Sequence, residues 1–410
     1  MHNAEKINQF KNLHIIPDNK FIDAFIADIK EASCGEVNCF LAFNRYDDRR
    51  EGFTYITSPD VIYSPPSSSG FYGNAGDLKK YKRIFIHWLL PNLEEFVRSI
   101  PPGPLVCWCF WGEFDASFGP LSKLLRFEKK SRDYADVSNA IWNLTRTQAL
   151  RFPFVPFFLR QKLGFFTSLI RWVRRVIAIS RVDVLLHWNE ADRRILSCAN
   201  LHPFLSRHEF FYNVIDVALS VESKVVDKLW LDHHLEGKNV LLVGHSSFPS
   251  GNHLDALDLI KNKLDDDSLR VIAVLSYGDP VYREVVIQKG VGLFGSRFIS
   301  LTEFLPIGEY YYLLSRISAA FLNHRYSEGA GNIFRVLMEG KPLFLNRHST
   351  IYKMLKEDGV SVYCAADELS IENIKNFSTD LIDGNIKYIS ERFSSDASVR
   401  NLRNFLKATG

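Results

Sequence analysis

With 410 residues and 46% hydrophobic content, the chain can bury two full cores, so two domains are the default reading. The formal net charge of +3 is small as a total, and the six cysteines (Cys34, Cys39, Cys107, Cys109, Cys198, Cys364) form no metal-like pair of pairs. The polar start MHNAEKINQFKN does not fit a signal peptide, and no apolar run reaches the roughly 18 residues of a membrane span, so a reducing, cytoplasmic location is expected.

Strand and helix signals alternate through the first half. Leu13–Ile16 reads as a strand, Phe21–Ile29 as a helix with Phe21, Ile22, Phe25 and Ile29 on one face, and Asn38–Phe43 as a second strand. Tyr63–Gly76 is rich in Ser, Pro and Gly and reads as a surface loop. Arg83–Trp88 and Leu105–Trp111 are further strands around a helix at Asn92–Ser99, with Cys107 and Cys109 as reduced core residues. This alternation predicts a parallel sheet covered on both faces, with ligands beyond the carboxyl ends of its strands. His14, His87 and the turn Trp111-Gly112-Glu113-Phe114-Asp115 are expected at or near those ends.

The middle of the chain is basic. No Asp or Glu occurs from Val137 to Val182, while Arg146, Arg151, Arg160, Lys162, Arg171, Arg174, Arg175 and Arg181 do. Taking those eight cations from the total of +3 leaves −5 for the rest of the protein. Phe166, Leu169, Ile170, Val173 and Ile177 line one helical face, with Arg171, Arg174 and Arg175 around the other side and Trp172 among them. Such a helix is suited to a membrane interface, where anionic headgroups add about 1 kcal/mol per basic residue. The alternative is a domain helix with a core-facing apolar stripe and solvated arginines. Nucleic acid is disfavoured, since no helix-turn-helix, zinc-finger or RNA-binding signature accompanies the charge.

A second α/β unit begins after Asp216. Asn239–Val243 is a strand followed by the turn Gly244-His245-Ser246-Ser247, and a helix covers Asn252–Leu264. Arg270–Leu275 is a strand ending in Ser276-Tyr277-Gly278-Asp279, with a helix over Tyr282–Gly290. Phe298–Ser300, a helix over Gly308–Ser315 and the strand Ala319–Asn323 follow. The densest signal is Asn323–Asn346. Its Gly-rich loop Ser327–Asn332 enters an amphipathic helix bearing Ile333, Phe334, Val336 and Leu337. Gly340 and Pro342 stop that helix, and Leu343–Leu345 is a buried strand. A small-residue loop entering a helix leaves N–H groups and the positive dipole end available to a diphosphate. The three turns at Gly244, Gly278 and Gly329/Gly331 together point to a nucleotide-binding edge.

On LLVGHSSFPSGNHLDAL (Leu241–Leu257), VLSYGDPVYREVV (Val274–Val286) and the segment Phe304–Ser349, the sequence resembles the TDP-N-acetylfucosamine:lipid II N-acetylfucosaminyltransferase family, glycosyltransferase family 56. HWLLP and CWCFWGE, within His87–Glu113, match more loosely. The resemblance implies an α/β GT-B fold, two Rossmann-like domains facing across a cleft. It implies an acceptor domain at 1–216 with the basic membrane-facing helix, a nucleotide-sugar domain at 217–375, and C-terminal helices at 376–410 that pack back on the first domain. The implied donor is a nucleotide-diphosphate sugar (TDP favoured, the sugar 4-acetamido-4,6-dideoxygalactose). The implied acceptor is a polyprenyl-diphosphate-linked glycan of bacterial surface polysaccharide synthesis. A peripheral place on the inner face of the inner membrane follows, touching anionic lipid and not nucleic acid. Glu328 takes the position where many GT-B enzymes bind the nucleotide ribose.

The chemistry itself requires that a departing diphosphate be stabilised while an acceptor hydroxyl attacks. GT-B enzymes do this with helix N-termini and basic side chains, and no metal cofactor is expected. Gly331 and Asn332 offer backbone donors, Arg325 or His324 charge, and Ser246 and Ser247 hydroxyls. Gly244, His245, Ser276, Tyr277, Gly278, Glu328 and Gly329 complete the expected donor site. Glu113, Asp115, His87 and His14 are candidates for the base, with His14 on the acceptor side together with Arg160, Lys162, Arg171, Arg174 and Arg175. Two other classes share these features: a GT-B nucleotide-sugar epimerase, and a membrane-surface sugar-binding protein without turnover.

Overall fold

A computed structural model describes residues 10–19, 21–33, 36–43, 52–64, 75–110, 127–134, 169–202, 206–211, 221–264 and 266–409. Glu113, Asp115, Arg160 and Lys162, with Arg146 and Arg151, lie outside these described residues. The chain divides into two compact units. One comprises Met1–Ser122, Phe158–Val214 and Phe393–Gly410, the other Lys123–Phe157 and Ile215–Arg392.

The first unit holds a parallel sheet of β1 (Phe10–Pro17), β2 (Val37–Phe43), β3 (Val61–Tyr63), β4 (Arg83–His87), β5 (Leu105–Cys109), β6 (Val184–Leu186) and β7 (Ser206–His208). Their order is β3-β2-β1-β4-β5-β6-β7. Every residue of β4 is buried, as expected of a strand covered on both faces. Over β1 and β2 lies the helix Ile22–Ala32, whose buried face is Ile22, Phe25, Ile26 and Ile29. Val399, Leu402, Phe405 and Leu406 of the C-terminal helix Ser395–Ala408 join the same core.

A fully buried arginine ties that C-terminal helix down. Arg83 Nη1 donates to Asn12 Oδ1 and Glu36 Oε2, each at 3.0 Å. Its Nη2 donates to the Leu406 carbonyl at 2.6 Å and its Nε to Thr409 Oγ1 at 2.7 Å. A guanidinium has five donors in a fixed fork, and here they satisfy a carboxylate, an amide and the carbonyl end of a helix at once.

In the second unit, β8 (Asn239–Val243), β9 (Leu269–Val274), β10 (Phe298–Leu301), β11 (Ala319–Leu322), β12 (Leu343–Leu345) and β13 (Tyr363–Cys364) form a parallel sheet in the order β10-β9-β8-β11-β12-β13. Each sheet therefore reverses direction of growth once: between β1 and β4 in the first, and between β8 and β11 in the second. Such a switch point opens a crevice at the carboxyl ends of the strands, where open α/β sheets bind ligands. The crossover helices begin with strong signals. Asp279 accepts from the N–H groups of Val281 and Tyr282 with Pro280 at the first helical position, starting Pro280–Phe294. Ser349 caps Thr350–Glu357 by accepting from the Tyr352 N–H. The described segment 127–134 also belongs to this unit, held by Asp255, which accepts from the N–H groups of Lys130 (2.9 Å) and Ser131 (3.0 Å).

The long apolar segments fold where the sequence places them, within a residue or two for most strands. Four short strands, β3, β6, β7 and β13, were not foreseen. Each has only two or three residues, too few to show a period of two.

Candidate functional site

The switch of the second sheet gathers most of the residues expected at the donor site. The turn after β8 starts at Gly244, whose φ is +68°; a Cβ there would stand 2.2 Å from His253 Nε2. The residue must be glycine on both counts. His245 follows, its ring 4.6 Å from that of His324 at the end of β11. Gly329, with φ +65°, passes directly over it: a Cβ on Gly329 would lie 3.0 Å from His245 Nδ1. Two chain segments more than eighty residues apart thus meet around one imidazole. Burial depresses the His245 pKa to about 4, so the ring is neutral at pH 7.

Gly329 is also the N-cap of the nine-residue helix Ala330–Met338. Ile333 N–H donates to the Gly329 carbonyl, so the N–H groups of Ala330, Gly331 and Asn332 precede the first helical hydrogen bond. Ile333, Phe334, Val336 and Leu337 are buried, which fixes the helix on the sheet and aims its positive end at the β8–β11 edge. Burying each of these side chains contributes about 1.5–3 kcal/mol. Gly331 and Asn332 are only half-buried.

Some expected roles need correction. Ser247 is 1% exposed, and its hydroxyl donates to the Tyr277 carbonyl at 2.9 Å. It braces the neighbouring turn, where a Cβ on Gly278 (φ +122°) would press to 2.8 Å on the Ser247 backbone. Ser246 is buried as well. Neither serine of the turn is exposed to solvent. Ser276 is half-buried beside Tyr277. Tyr277 is exposed and pairs edge-on with Phe248 (6.3 Å) and His245 (6.2 Å). Its pKa is pushed up to about 12 by burial of the hydroxyl and by the charge of Glu328. Glu328 accepts from Ser250 Oγ at 2.6 Å, which ties the loop before Ala330–Met338 to the turn after β8.

A polar ladder at the same edge was not anticipated. Asn252 Nδ2 donates to the Asn323 carbonyl (3.0 Å) and Asn323 Nδ2 to the Asn252 carbonyl (3.1 Å). Asn346 Nδ2 donates to Asn323 Oδ1 (2.8 Å) and to Glu128 Oε1 (2.9 Å). Glu128 N–H donates to Asn252 Oδ1 at 2.8 Å. Arg325 sits beside them, Nε 3.9 Å from Glu128 Oε1 and Nη1 donating to the Phe127 carbonyl at 3.4 Å. Asn323 and Asn346 each come within one residue of a buried strand's end, which is a readable signal. Glu128 carries none, because its place follows from the fold.

In the first unit His14 and His87 are brought together at the switch, but not as expected. Register pairs His14 with Phe85, and His87 is two residues beyond Phe85, so all three side chains share one face. His14 is therefore mid-strand, and both imidazoles are fully buried under the helix Ile22–Ala32. His14 Nδ1 lies 3.2 Å from His87 Nε2, and His14 Nε2 3.2 Å from Asn38 Oδ1. Phe85 stacks on His14 at 4.4 Å and Phe25 lies edge-on to His87 at 4.5 Å. Burial drives the His14 pKa down to about 3 and that of His87 well below its ordinary value. In this packing neither ring reaches a bound hydroxyl, and both read as core.

The described part of the basic helix, 169–179, is also turned from its expected orientation. Arg175 is fully buried: it donates to the Leu89 carbonyl, lies 3.6 Å from Glu94 and stands over the Trp108 ring at 5.4 Å. Burial pushes the Glu94 carboxyl up against the pull of Arg175. Trp172 Nε1 donates to the Ala199 carbonyl at 2.9 Å, and Ile179 is buried. The inward stripe is thus Trp172, Arg175, Val176 and Ile179 at helical spacing. Ile170 (54% exposed), Val173 (43%) and Ile177 (48%) face outward beside exposed Arg171 and Arg174.

Among the described residues no group of three His, Cys, Asp or Glu could hold a metal ion, and no helix is long and apolar enough to cross a membrane. A shallow depression of about 420 Å³ among Pro102, Pro104, Leu105, Arg181 and Asp183 lies at the opposite, amino edge of the first sheet. Arg181 there donates to the carbonyls of Ile100, Pro101 and Pro104, a structural use of its guanidinium.

Residues 217–406 match the family model described as 4-alpha-L-fucosyltransferase glycosyl transferase group 56. Among solved structures, the chain is similar to the N-terminal domain of Candida albicans trehalose-6-phosphate phosphatase, with a TM-score of 0.62 and 11% identity over 97% of this chain and 96% of that one. Anabaena HepE in complex with UDP superposes with a TM-score of 0.61 and 13% identity over 97% and 100%. The α,α-trehalose 6-phosphate synthase of Burkholderia multivorans gives 0.60 and 9% over 98% of each chain. At these identities the likeness speaks for the fold, which is that of GT-B glycosyltransferases over nearly the whole chain.

Proposed function

We propose that this protein, a glycosyltransferase whose residues 217–406 match the group 56 family model and whose fold is GT-B, takes as donor a nucleotide-diphosphate sugar bound at the β8–β11 edge. The observation that carries this reading is the meeting of Gly244-His245 with Gly329 at the N-terminus of Ala330–Met338. Backbone N–H groups at Ala330, Gly331 and Asn332 would receive the diphosphate as negative charge develops on it, with Arg325 supplying a full positive charge. Donors fixed in advance need no reorganisation at the moment of bond cleavage. That is why such a site can stabilise the departing diphosphate without a resident metal, and turnover in excess EDTA is expected to persist. Anabaena HepE, a structural relative, is described in complex with UDP and with UDP-glucose, which supports a nucleotide-sugar donor.

TDP is the favoured nucleotide and 4-acetamido-4,6-dideoxygalactose the favoured sugar, both on the family resemblance. Glu328, held by Ser250, is assigned to the ribose hydroxyl. The acceptor in this reading is a polyprenyl-diphosphate-linked glycan, reached from an anionic membrane surface through the outward face Ile170, Val173 and Ile177 with Arg171 and Arg174. Glu113 and Asp115 remain the proposed bases, now that His14 and His87 are placed in the core. Replacing Gly331 by Val adds a branched side chain in the first turn, where the diphosphate has to approach the backbone. Calorimetry on the folded variant should show thymidine diphosphate binding lost. Unchanged affinity would remove the assignment.

A further inference from the structure

Arg325 and Glu128 face one another at the donor edge. The Arg325 ion pair with Glu128 is long, 3.9 Å from Nε to Oε1, beyond hydrogen-bond reach. Its bond from Nη1 to the Phe127 carbonyl, at 3.4 Å, is also long. Glu128 is pinned from two sides. Asn346 donates to its carboxylate at 2.9 Å, and its own N–H donates to Asn252 at 2.8 Å. Asn252 and Asn346 are both locked to Asn323, and Asp255 anchors the next turn of the segment. The guanidinium stands beside a carboxylate that is held in place by its own bonds.

We propose that Glu128 is a positioning residue of the donor site, a fixed counter-ion that holds Arg325 before the donor binds and competes with the nucleoside diphosphate for it. A diphosphate carries more charge than one carboxylate, so it wins the guanidinium. Glu128 then stays behind with its charge uncompensated, a few ångströms from the bound anion. Both side chains are partly exposed, at 18% for Arg325 and 29% for Glu128, so the repulsion is damped by solvent but not removed. The effect is to weaken nucleoside diphosphate binding, which favours release of that product after transfer. The inference rests on the donor site proposed above.

Glu128→Gln is the test, because the amide oxygen still accepts from Asn346 and the volume is unchanged. Affinities for thymidine diphosphate and UDP, and for thymidine and uridine, are measured by calorimetry in the wild type, Glu128→Gln, Arg325→Met and the double variant. The expected result is diphosphate binding tighter by roughly three- to tenfold in Glu128→Gln at low salt, the gain shrinking as salt rises. Nucleoside binding should not move, and the gain should vanish in the Arg325→Met background. Unchanged or weaker diphosphate binding in Glu128→Gln, or a gain that persists without Arg325, overturns the proposal and leaves the donor site standing. If Arg325→Met binds diphosphate as the wild type does, the role of Arg325 in that site falls as well.

Discussion

At the scale of single residues, the β8–β11 edge is built by what surrounds two glycines. Gly244 and Gly329 let backbone close on the His253 and His245 rings, and the imidazoles are neutral because burial refuses them a proton. His253 is fully buried, neither ring nitrogen has a hydrogen-bond partner among the described residues, and its pKa falls to about 3, first from desolvation and then from His245. His14 falls to about 3 from desolvation, against the bond to Asn38. The sign of the pH effect follows. Above pH 6.5 both folded and unfolded chains hold these rings neutral, and they contribute nothing to the pH dependence. Below it the unfolded chain takes up protons that the folded chain refuses, so stability falls as pH drops toward 3. Each of the two rings should remove on the order of 1 kcal/mol per pH unit in that window. Urea unfolding should show a midpoint that declines between pH 6.5 and 4, with a shallower decline in His14→Gln. A flat profile would contradict the burial.

Residue chemistry was legible where it was local. Gly244, Gly278 and Gly329 announced their turns because only glycine takes those φ values at low cost. His14 and His87 misled because a histidine near a strand end looks available until register shows which face it takes. Glu128 and Asn252 gave no warning. Their bonds join positions 124 residues apart in the chain, and nothing in either neighbourhood marks the meeting.

At the scale of elements, the basic helix carries the lesson. The sequence suggests an apolar face opposed to three arginines, and the alternative it offers is a core-facing apolar stripe. The structure gives neither. A buried Glu94 from a helix some eighty residues earlier draws Arg175 inward, while Ile170, Val173 and Ile177 are left outside. A helix can bury an arginine when a carboxylate, a carbonyl and an indole receive it. The outward face then pairs apolar side chains with Arg171 and Arg174, the composition an anionic lipid surface favours. Changing both to Glu removes two attractions and adds two repulsions, about 1 kcal/mol each near the surface. The double variant should leave anionic vesicles in a flotation assay while binding nucleotide as the wild type does. Equal vesicle binding would make the face an ordinary solvated one. Arg175→Glu is no control for this, since it would place two carboxylates together in the core.

At the scale of the whole molecule, two parallel sheets repeat one plan, each reversing its order once, and the second gathers polar residues beyond the carboxyl ends of its strands around that point. That much was readable from alternating apolar runs and Gly-bearing turns, because fully covered parallel strands are mostly apolar. The C-terminal helix is different. Its place in the first unit is secured by Arg83, a charged residue inside a strand, which periodicity would count as an exception. The reaction proposed above is transfer of a sugar from a nucleotide donor to a lipid-linked acceptor. The direct measurement is mass spectrometry of the lipid fraction after incubating the protein, on anionic vesicles carrying a polyprenyl-diphosphate-linked glycan, with TDP-, UDP- and GDP-sugars. The account predicts one acceptor species heavier by a single sugar, matched by release of one nucleoside diphosphate. An unmodified lipid, with the nucleotide sugar recovered intact or as its epimer, would contradict it.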